Sequence, residues 1–383
     1  MKKNRRLLYF PLYILGLMFP LVACNIPFFF SQSGEDKSLI LEENQIIMEE
    51  GDAYQIVVTS HTQAEITFES FDDEIITVDD NGLVNAIKVG VSYVVVKSAG
   101  LTAVLDVEVV LPTSKVINNI PRRFLWSDEF NGSSIDRSVW GFQHGITDDY
   151  NGQQGGATYW GNNEKQYYTE KNAEVKDGNL VITAKREDTT FTFNDRQITM
   201  NFTSSRMLTR NKKTFLYGYF ETKMKTPTIT GMWPAFWMMP EPNSQISTGN
   251  EYGGWPVSGE IDIYEARGSQ ASRVDMTLHF GNPHKYLNES YTFADSTCSE
   301  WHVYGLDRRA DYIAWYIDGV KRHEVKKENW YCSADEDNAN APFDKPFYFL
   351  FNLAVGGNFD GGKMPPEGFT SASMYIDYLR VFE

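Results

Sequence analysis

The chain has 383 residues, a length that predicts two or three domains. Its formal net charge of −16 argues against a nucleic-acid partner, because phosphate backbones are bound by clusters of Lys and Arg. The sequence holds six His and three Cys and has neither an H-E-x-x-H nor a C-x-x-C motif, so no metal cofactor is indicated for catalysis.

Residues 1–24 are typical of a targeting segment, with Lys and Arg at the start and then an apolar run that is short for a spanning helix. The run ends in Leu21-Val22-Ala23-Cys24, which resembles a bacterial lipobox. The resemblance implies cleavage before Cys24, lipid on its thiol, and an extracytoplasmic lipoprotein anchored to the membrane at the bacterial cell surface. An uncleaved N-terminal anchor is the alternative. We interpret residues 25–37 as a tether.

Residues 38–112 contain short runs of β-branched residues separated by Gly and Asn-Gly turn signals. This pattern predicts a small β-sandwich. The stretch from Ile76 to Gly90 resembles bacterial immunoglobulin-like domains of group 2. Because no acid pair, metal cluster or aromatic platform stands out there, we interpret the domain as a spacer. Weak binding to carbohydrate or cell wall is the alternative.

We interpret Val116 to Arg123 as the connection to a larger domain over residues 120–383. Long stretches of helical periodicity are absent from this part of the sequence. Strand-like pieces include 180–185, 215–225, 312–317 and 374–382. The pattern predicts an all-β fold, an antiparallel β-sandwich of the jelly-roll type.

The stretch best suited to chemistry is Ser258–Arg267, which holds Glu260, Asp262 and Glu265 among Ile and Tyr residues that favour a strand. In a regular strand Glu260 and Asp262 share one face and Glu265 lies on the other, because side chains alternate. One extra residue in a β-bulge between Asp262 and Glu265 would return all three to one face. A retaining glycosidase needs such a carboxyl pair, one nucleophile and one acid/base. A solvated edge strand is the alternative.

Four further motifs accompany this stretch: Trp160–Gln166, Asp177–Ile182, Gly231–Trp237 and Asn352–Gly357. In their order along the chain, the five motifs resemble glycoside hydrolase family 16, and within it the laminarinase-like endo-β-1,3-glucanases. The resemblance covers roughly residues 120–383. It implies a concanavalin A-like jelly roll that cleaves internal β-1,3 linkages of a β-glucan with retention of configuration.

The resemblance also implies roles for individual residues. Glu260 is the expected nucleophile and Glu265 the expected acid/base, with Asp262 between them holding the nucleophile and biasing proton positions. Trp237 is not counted among the residues that contact sugar, because we expect that its side chain can face the core. The residues expected to contact sugar are Trp233, Trp255, Asn163, Arg206, His279 and Asn352.

Two structural features are left open at this stage. The family often carries a structural Ca²⁺ away from the cleft, and the matching positions are Glu129, Gly178 and Asp377. If Cys24 is lipidated, Cys298 and Cys332 remain, and they form either a disulfide or two separate buried thiols.

Three classes of function compete. The favoured class is a membrane-tethered, monomeric endo-β-1,3-glucanase whose partner is a β-glucan. A second has the same fold and acts on mixed-linkage β-glucan or on a galactan such as agarose. The third is a non-catalytic glucan-binding surface lipoprotein, although a pure binder has no need of the three acids.

Overall fold

The computed structural model describes residues 37–150, 153–154, 157–242 and 249–383. The predicted signal peptide, the lipidation site Cys24 and almost all of the predicted tether therefore lie outside the described residues. Within the described residues, none of the helices has the length and apolar character needed to cross a membrane. The chain divides into two compact units between Leu111 and Pro112.

The first unit is a small β-sandwich. Its four-stranded sheet has the order β2-β9-β8-β5, its three-stranded sheet has the order β3-β7-β6, and β1 pairs with β4. Alternate residues such as Val94, Val96, Leu105 and Val107 are fully buried between the sheets. The strands are β1 Leu39–Leu41, β2 Gln45–Glu49, β3 Ala53–Gln55, β4 Val58–Ser60, β5 Thr67–Ser70, β6 Ile76–Val78, β7 Leu83–Ala86, β8 Gly90–Ser98 and β9 Leu101–Val110.

Among the described residues of the second unit, the regular elements are strands, apart from single-turn 3₁₀ segments at Thr158–Gly161, Glu170–Asn172 and Lys327–Asn329. Its strands are β10 Ser114–Ile117, β11 Ile120–Asp128, β12 Gly141–Gln143, β13 Asp149–Tyr150, β14 Gln153–Gln154, β15 Gln166–Tyr168, β16 Ala173–Lys176, β17 Asn179–Phe193, β18 Arg196–Ser204, β19 Arg206–Leu208, β20 Thr214–Phe215, β21 Gly218–Lys225, β22 Met232–Pro240, β23 Gly249–Asn250, β24 Gly253–Gly254, β25 Glu260–Ala266, β26 Arg273–Phe280, β27 Lys285–Thr292, β28 His302–Arg308, β29 Tyr312–Ile317, β30 Val320–Lys326, β31 Phe347–Val355 and β32 Ser371–Phe382.

Two large sheets pack face to face in this unit. The larger has the order β15-β18-β17-β32-β21-β28-β29-β30, and the smaller has the order β12-β19-β31-β22-β25-β26-β27. Aromatic side chains fill the space between them: Phe220 of β21 meets Phe349 of β31 edge-on at 5.3 Å, and Phe236 of β22 stacks on Phe351 at 4.5 Å. The predicted all-β, jelly-roll sandwich is confirmed.

The interpretation of Val116 to Arg123 as a connection between modules is wrong. Strands β10 and β11 form an antiparallel hairpin there, and β11 continues the larger sheet by pairing with β32. The turn is Asn118-Asn119, with φ of 51° and 64°. Asn tolerates this left-handed conformation, and two such residues in succession suit a tight hairpin turn.

The two cysteines that the structure describes are free thiols. Cys298 and Cys332 are both 1% exposed, and neither forms a disulfide. Of the two alternatives left open by the sequence, separate buried thiols is therefore the one observed. Burial raises the pKa of the Cys298 thiol to about 11, which keeps it protonated and unreactive.

Candidate active site

A β-bulge lies at the predicted position in β25. Against β26, Asp262 pairs with Thr277 and Glu265 with Asp275, so two residues of β25 stand opposite the single residue Met276. The register with β22 shifts at the same point, between Phe236 and Trp237. This two-against-one count defines a bulge, and the prediction of one extra residue between Asp262 and Glu265 is confirmed.

The bulge turns two consecutive side chains into the core. Ile263 and Tyr264 both belong to the buried cluster between the sheets, and the Tyr264 hydroxyl bonds to the Thr226 hydroxyl at 2.5 Å. The buried indole of Trp315, on β29 of the other sheet, donates to the main-chain carbonyl of Asp262 at 2.8 Å. These contacts on the inner side leave Glu260, Asp262 and Glu265 together on the outer side.

All three acids line one cleft of about 820 Å³ on the outer face of the smaller sheet. Eight of the nine residues predicted for catalysis or sugar contact line it: Glu260, Asp262, Glu265, Trp233, Trp255, Arg206, His279 and Asn352. Asn163 is the exception, since its amide instead donates to Asn358, which does line the cleft, at 2.8 Å. The neighbouring Asn162 occupies the wall where Asn163 was expected.

The three carboxyl groups are held in an environment that disfavours charge. Burial, and then the charge of Asp262, raise the pKa of Glu260 and of Glu265 to about 8 in each case. Burial also raises the pKa of Asp262 to about 8. His279 acts in the opposite direction, with its Nε2 3.2 Å from Asp262 Oδ2 and 3.8 Å from Glu260 Oε1. At neutral pH such a cluster retains protons, as acid/base catalysis requires.

Trp233 touches the expected acid/base directly. Its indole Nε1 donates to Glu265 Oε1 at 3.0 Å, and its ring stacks on Phe359 at 4.9 Å. The Arg267 guanidinium lies 3.7 Å from the centre of the Phe359 ring on which Trp233 stacks, and Arg267 Nε donates to the Phe359 carbonyl. Trp255, 45% exposed, presents a ring to the cleft opening. Both Trp side chains are therefore available to stack on sugar.

The expectation that Trp237 can face the core is wrong. Trp237 has the same parity as Trp233 along β22, so both side chains lie on the cleft face. Its Nε1 donates to Asn352 Oδ1 at 2.7 Å. The Arg206 guanidinium lies 4.6 Å from the Trp237 ring and 4.6 Å from the Trp160 ring, so two indoles orient it.

Glu164 is a cleft residue that the sequence interpretation missed. It is 3% exposed and accepts hydrogen bonds from Gln166 at 2.6 Å and from the Tyr168 hydroxyl at 3.0 Å. The same hydroxyl accepts from Asn352 at 3.3 Å, which links Glu164 to the residue that holds Trp237. Its position inside the Trp160–Gln166 motif was the available signal.

The residues expected for calcium have other partners. Both Glu129 carboxylate oxygens accept from Arg380, at 2.9 and 2.8 Å, and the Asp377 carboxylate is paired with Lys223 at 2.9 Å. Gly178 lies in a turn with φ of 67°. A cationic side chain beside each carboxylate opposes a second cation, so these two carboxylates do not fit a Ca²⁺ site in this arrangement.

One group of side chains in the cleft brings metal-ligand atoms together. Glu260, Asp262 and His279 offer atoms within 4.8 Å of one another. These are the same atoms that the expected chemistry uses for nucleophile and proton control, so we assign no metal there.

Comparisons with known proteins agree with this geometry. The model of glycosyl hydrolases family 16 matches residues 161–368, more than half of the chain. The chain belongs to that family. A second model, for a bacterial Ig-like domain, matches residues 64–110 in the first unit.

Relatives within family 16 include named glucanases. The chain is 38% identical to glucan endo-1,3-beta-glucosidase A1 of Niallia circulans, and the match covers 73% of this chain and 40% of that protein. The chain is 37% identical to glucan endo-1,3-beta-glucosidase of Cryptopygus antarcticus, and this match covers 67% of this chain and 90% of that protein. The solved endo-beta-1,3-glucanase of Pyrococcus furiosus is 35% identical with a TM-score of 0.61, over 71% of this chain and 98% of that one.

Proposed function

We propose that this chain is a retaining endo-β-1,3-glucanase that hydrolyses internal linkages of a laminarin-type β-glucan. The observation that carries the proposal is the bulge in β25, which turns Glu260 and Glu265 into one cleft. Two relatives whose names state endo-1,3-beta-glucosidase activity support the choice of linkage. The family supports a retaining course, in which one carboxylate attacks and a second carboxyl group supplies the proton.

In the first half of the proposed reaction, a Glu260 carboxylate oxygen attacks the anomeric carbon while the glycosidic C–O bond breaks. Glu265 gives its proton to the departing oxygen, so the leaving chain departs as an alcohol. Burial and the charge of Asp262 raise the pKa of both glutamates, so the pair holds a proton near neutral pH. The charges of His279 and Arg206 favour the ionised form of Glu260, and in the proposed reaction the proton resides on Glu265.

In the second half, water attacks the anomeric carbon of the glycosyl ester on Glu260. Glu265, now a carboxylate, takes the water proton, and the ester C–O bond breaks to return Glu260 as a carboxylate. Asp262 and the His279 imidazole, 3.2 Å apart, lie against Glu260 and control where protons reside during the cycle.

The cleft walls suit a neutral glucan chain. Trp233, Trp237 and Trp255 present indole faces for sugar rings, and Arg206 and Asn352 offer polar groups for hydroxyls.

The test is release of reducing ends from laminarin, lichenan and agarose, with the products resolved by length. We expect release from laminarin as a ladder of oligosaccharides, and a loss of about 10³-fold or more in kcat for Glu260→Gln, because the covalent step disappears. Glu289→Gln, at an exposed position on β27, is the matched control and should retain activity. Release from agarose alone would overturn the glucan assignment. Binding without release in the unaltered chain would favour a glucan-binding lipoprotein.

We also propose that the mature protein is a monomeric lipoprotein held at the cell surface through Cys24. The support is the sequence Leu21-Val22-Ala23-Cys24 after a basic start and an apolar run. Metabolic labelling with a palmitate analogue tests the proposal, with Cys24→Ser as the variant that should lose the label and leave the membrane fraction. Label retained by Cys24→Ser would contradict it.

A further inference from the structure

His284 lies in the turn between β26 and β27, and no sequence motif marked it. Tyr331 fixes this turn by donating its hydroxyl to the Pro283 carbonyl at 2.7 Å. The Tyr331 ring also covers Gly281, where φ is 73° and a Cβ would lie 2.4 Å from the ring. The backbone that carries His284 is therefore held beside the cleft, which His284 lines.

His284 touches one of the residues that contact the acids. Its Nε2 lies 2.9 Å from Nδ1 of His279, and the two ring centres are 5.1 Å apart with their planes inclined by 26°. Trp255 packs against His284 at 4.9 Å. The other nitrogen of His279, Nε2, faces Asp262 Oδ2 and Glu260 Oε1. His279 therefore bridges the acids and His284.

The two nitrogens of His279 have different requirements. A proton on Nε2 is needed for donation to Asp262, so in the singly protonated ring Nδ1 must accept a hydrogen bond. In the doubly protonated ring, Nδ1 must donate one. A neutral imidazole at 284 meets both requirements, because either of its tautomers can present Nε2, one as a donor and the other as an acceptor.

We propose that His284 is a positioning residue that keeps the Nε2–H of His279 directed at Asp262 and Glu260 in both protonation states of the His279 ring. The proposal rests on the proposed glucanase function and extends it to a residue outside the three acids. His284 acts only through His279 and is not a catalytic residue.

The charged and titratable groups around this pair come from two strands, β25 and β27. Glu260, Asp262 and Glu265 face His279 from β25, and Tyr286 of β27 lies 5.9 Å from the His279 ring and 6.1 Å from the His284 ring. Burial and the neighbouring His279 lower the pKa of His284, which favours its neutral form. The uncharged Trp255 ring closes the remaining side.

The test compares His284→Phe with His284→Gln on laminarin. Phe retains a ring against Trp255 and has no nitrogen, whereas the Gln amide can both donate and accept. His279 opposes the burial and the Asp262 charge that raise the pKa of Glu260. With Phe, we expect the acid limb of the kcat/KM profile to move up by roughly 0.5–1 pH unit, the effect of about one hydrogen bond, with kcat falling more than KM changes. Gln should restore the profile.

His61→Phe, in the first unit, is the matched control for a His-to-Phe change and should leave the profile unchanged. An acid limb in His284→Phe that coincides with that of the unaltered enzyme would overturn the proposal. A second readout does not depend on activity: ¹⁵N NMR of the imidazoles should show His279 with a protonated Nε2 across the pH range, and a neutral His279 protonated on Nδ1 would overturn it. Absence of laminarin hydrolysis in the unaltered chain would instead count against the glucanase function.

Discussion

Across the interior of the sandwich, the indole N–H of Trp315 donates a hydrogen bond to the main-chain carbonyl of Asp262, with 2.8 Å between the nitrogen and the oxygen. A bulge interrupts the regular ladder of a strand, and a buried carbonyl there still needs a donor. Trp315 supplies that donor from the opposite sheet and is itself fully buried. The backbone of the acidic strand is therefore held in its bulged form by a residue that does not line the cleft.

Replacing Trp315 with Phe should weaken both stability and activity. The loss of one hydrogen bond to a buried carbonyl predicts about 1–3 kcal/mol less free energy of unfolding, measured by denaturant titration. We expect kcat to fall as well, because the carboxyl groups of Glu260 and Glu265 lose their set spacing. Trp140→Phe is the matched control: Trp140 is equally buried and donates to Asp128 at 2.8 Å, away from the cleft. It should lose comparable stability and retain kcat, and an unchanged kcat in Trp315→Phe would contradict the role of the bond.

Replacing Asp262 with Asn should move the pH profile to lower pH. The charge of Asp262 adds to burial in raising the pKa of both Glu260 and Glu265. Without that charge, Glu265 loses its proton at a lower pH, so the alkaline limb moves down, and Glu260 ionises more readily, so the acid limb follows. The measurement is kcat/KM for laminarin across pH, with the exposed Asp295→Asn as a control whose limbs should not move. A shift to higher pH would refute the electrostatic account.

Neutralising the expected nucleophile should stabilise the fold at alkaline pH. Burial raises the pKa of Glu260 to about 8 in the folded chain, against about 4 in an unfolded one, so the folded state binds the proton more tightly. Stability should therefore fall as pH rises between these values, and Glu260→Gln should escape its share of that loss. Thermal unfolding should give equal Tm values for variant and parent near pH 4 and a higher Tm for the variant at pH 9. Equal Tm values at pH 9 would show that folding raises the pKa of Glu260 less than we infer.

Replacing Trp233 with Phe separates its two contacts. Phe retains a ring against Phe359 and against sugar, whereas the bond from the indole nitrogen to Glu265 is lost. That bond favours the ionised form of Glu265, so without it we expect the pKa of Glu265 to rise further and the alkaline limb of kcat/KM to move to higher pH. Trp255→Phe, at the cleft opening, should raise KM and leave the limb in place. An unmoved alkaline limb in Trp233→Phe would assign Trp233 to stacking alone.

The position of the bulge could be predicted from sequence because periodicity and chemistry conflict there. Strict alternation puts Glu265 on the opposite face from Glu260 and Asp262, and a single added residue resolves the conflict. The sandwich fold was predictable for a similar reason, since β-branched and aromatic runs punctuated by Gly recur along the chain.

Other features depend on contacts between distant residues. Nothing in the local sequence indicates that Trp160 and Trp237 enclose Arg206, or that His284 reaches His279 across a turn. The error at Trp237 was different, because its parity with Trp233 was visible in the sequence. The hairpin at Asn118-Asn119 also has a local signal, because two consecutive Asn residues favour a tight turn.

The bulge has an evolutionary consequence. Ile263 and Tyr264 both point inward, so loss of either codon would leave a strand that alternates regularly and still presents its three carboxylates on one side. A single in-frame deletion therefore connects two workable arrangements of the same acids, one kinked and one straight. Natural lineages could exchange these arrangements without passing through a form whose nucleophile and proton donor are on opposite faces.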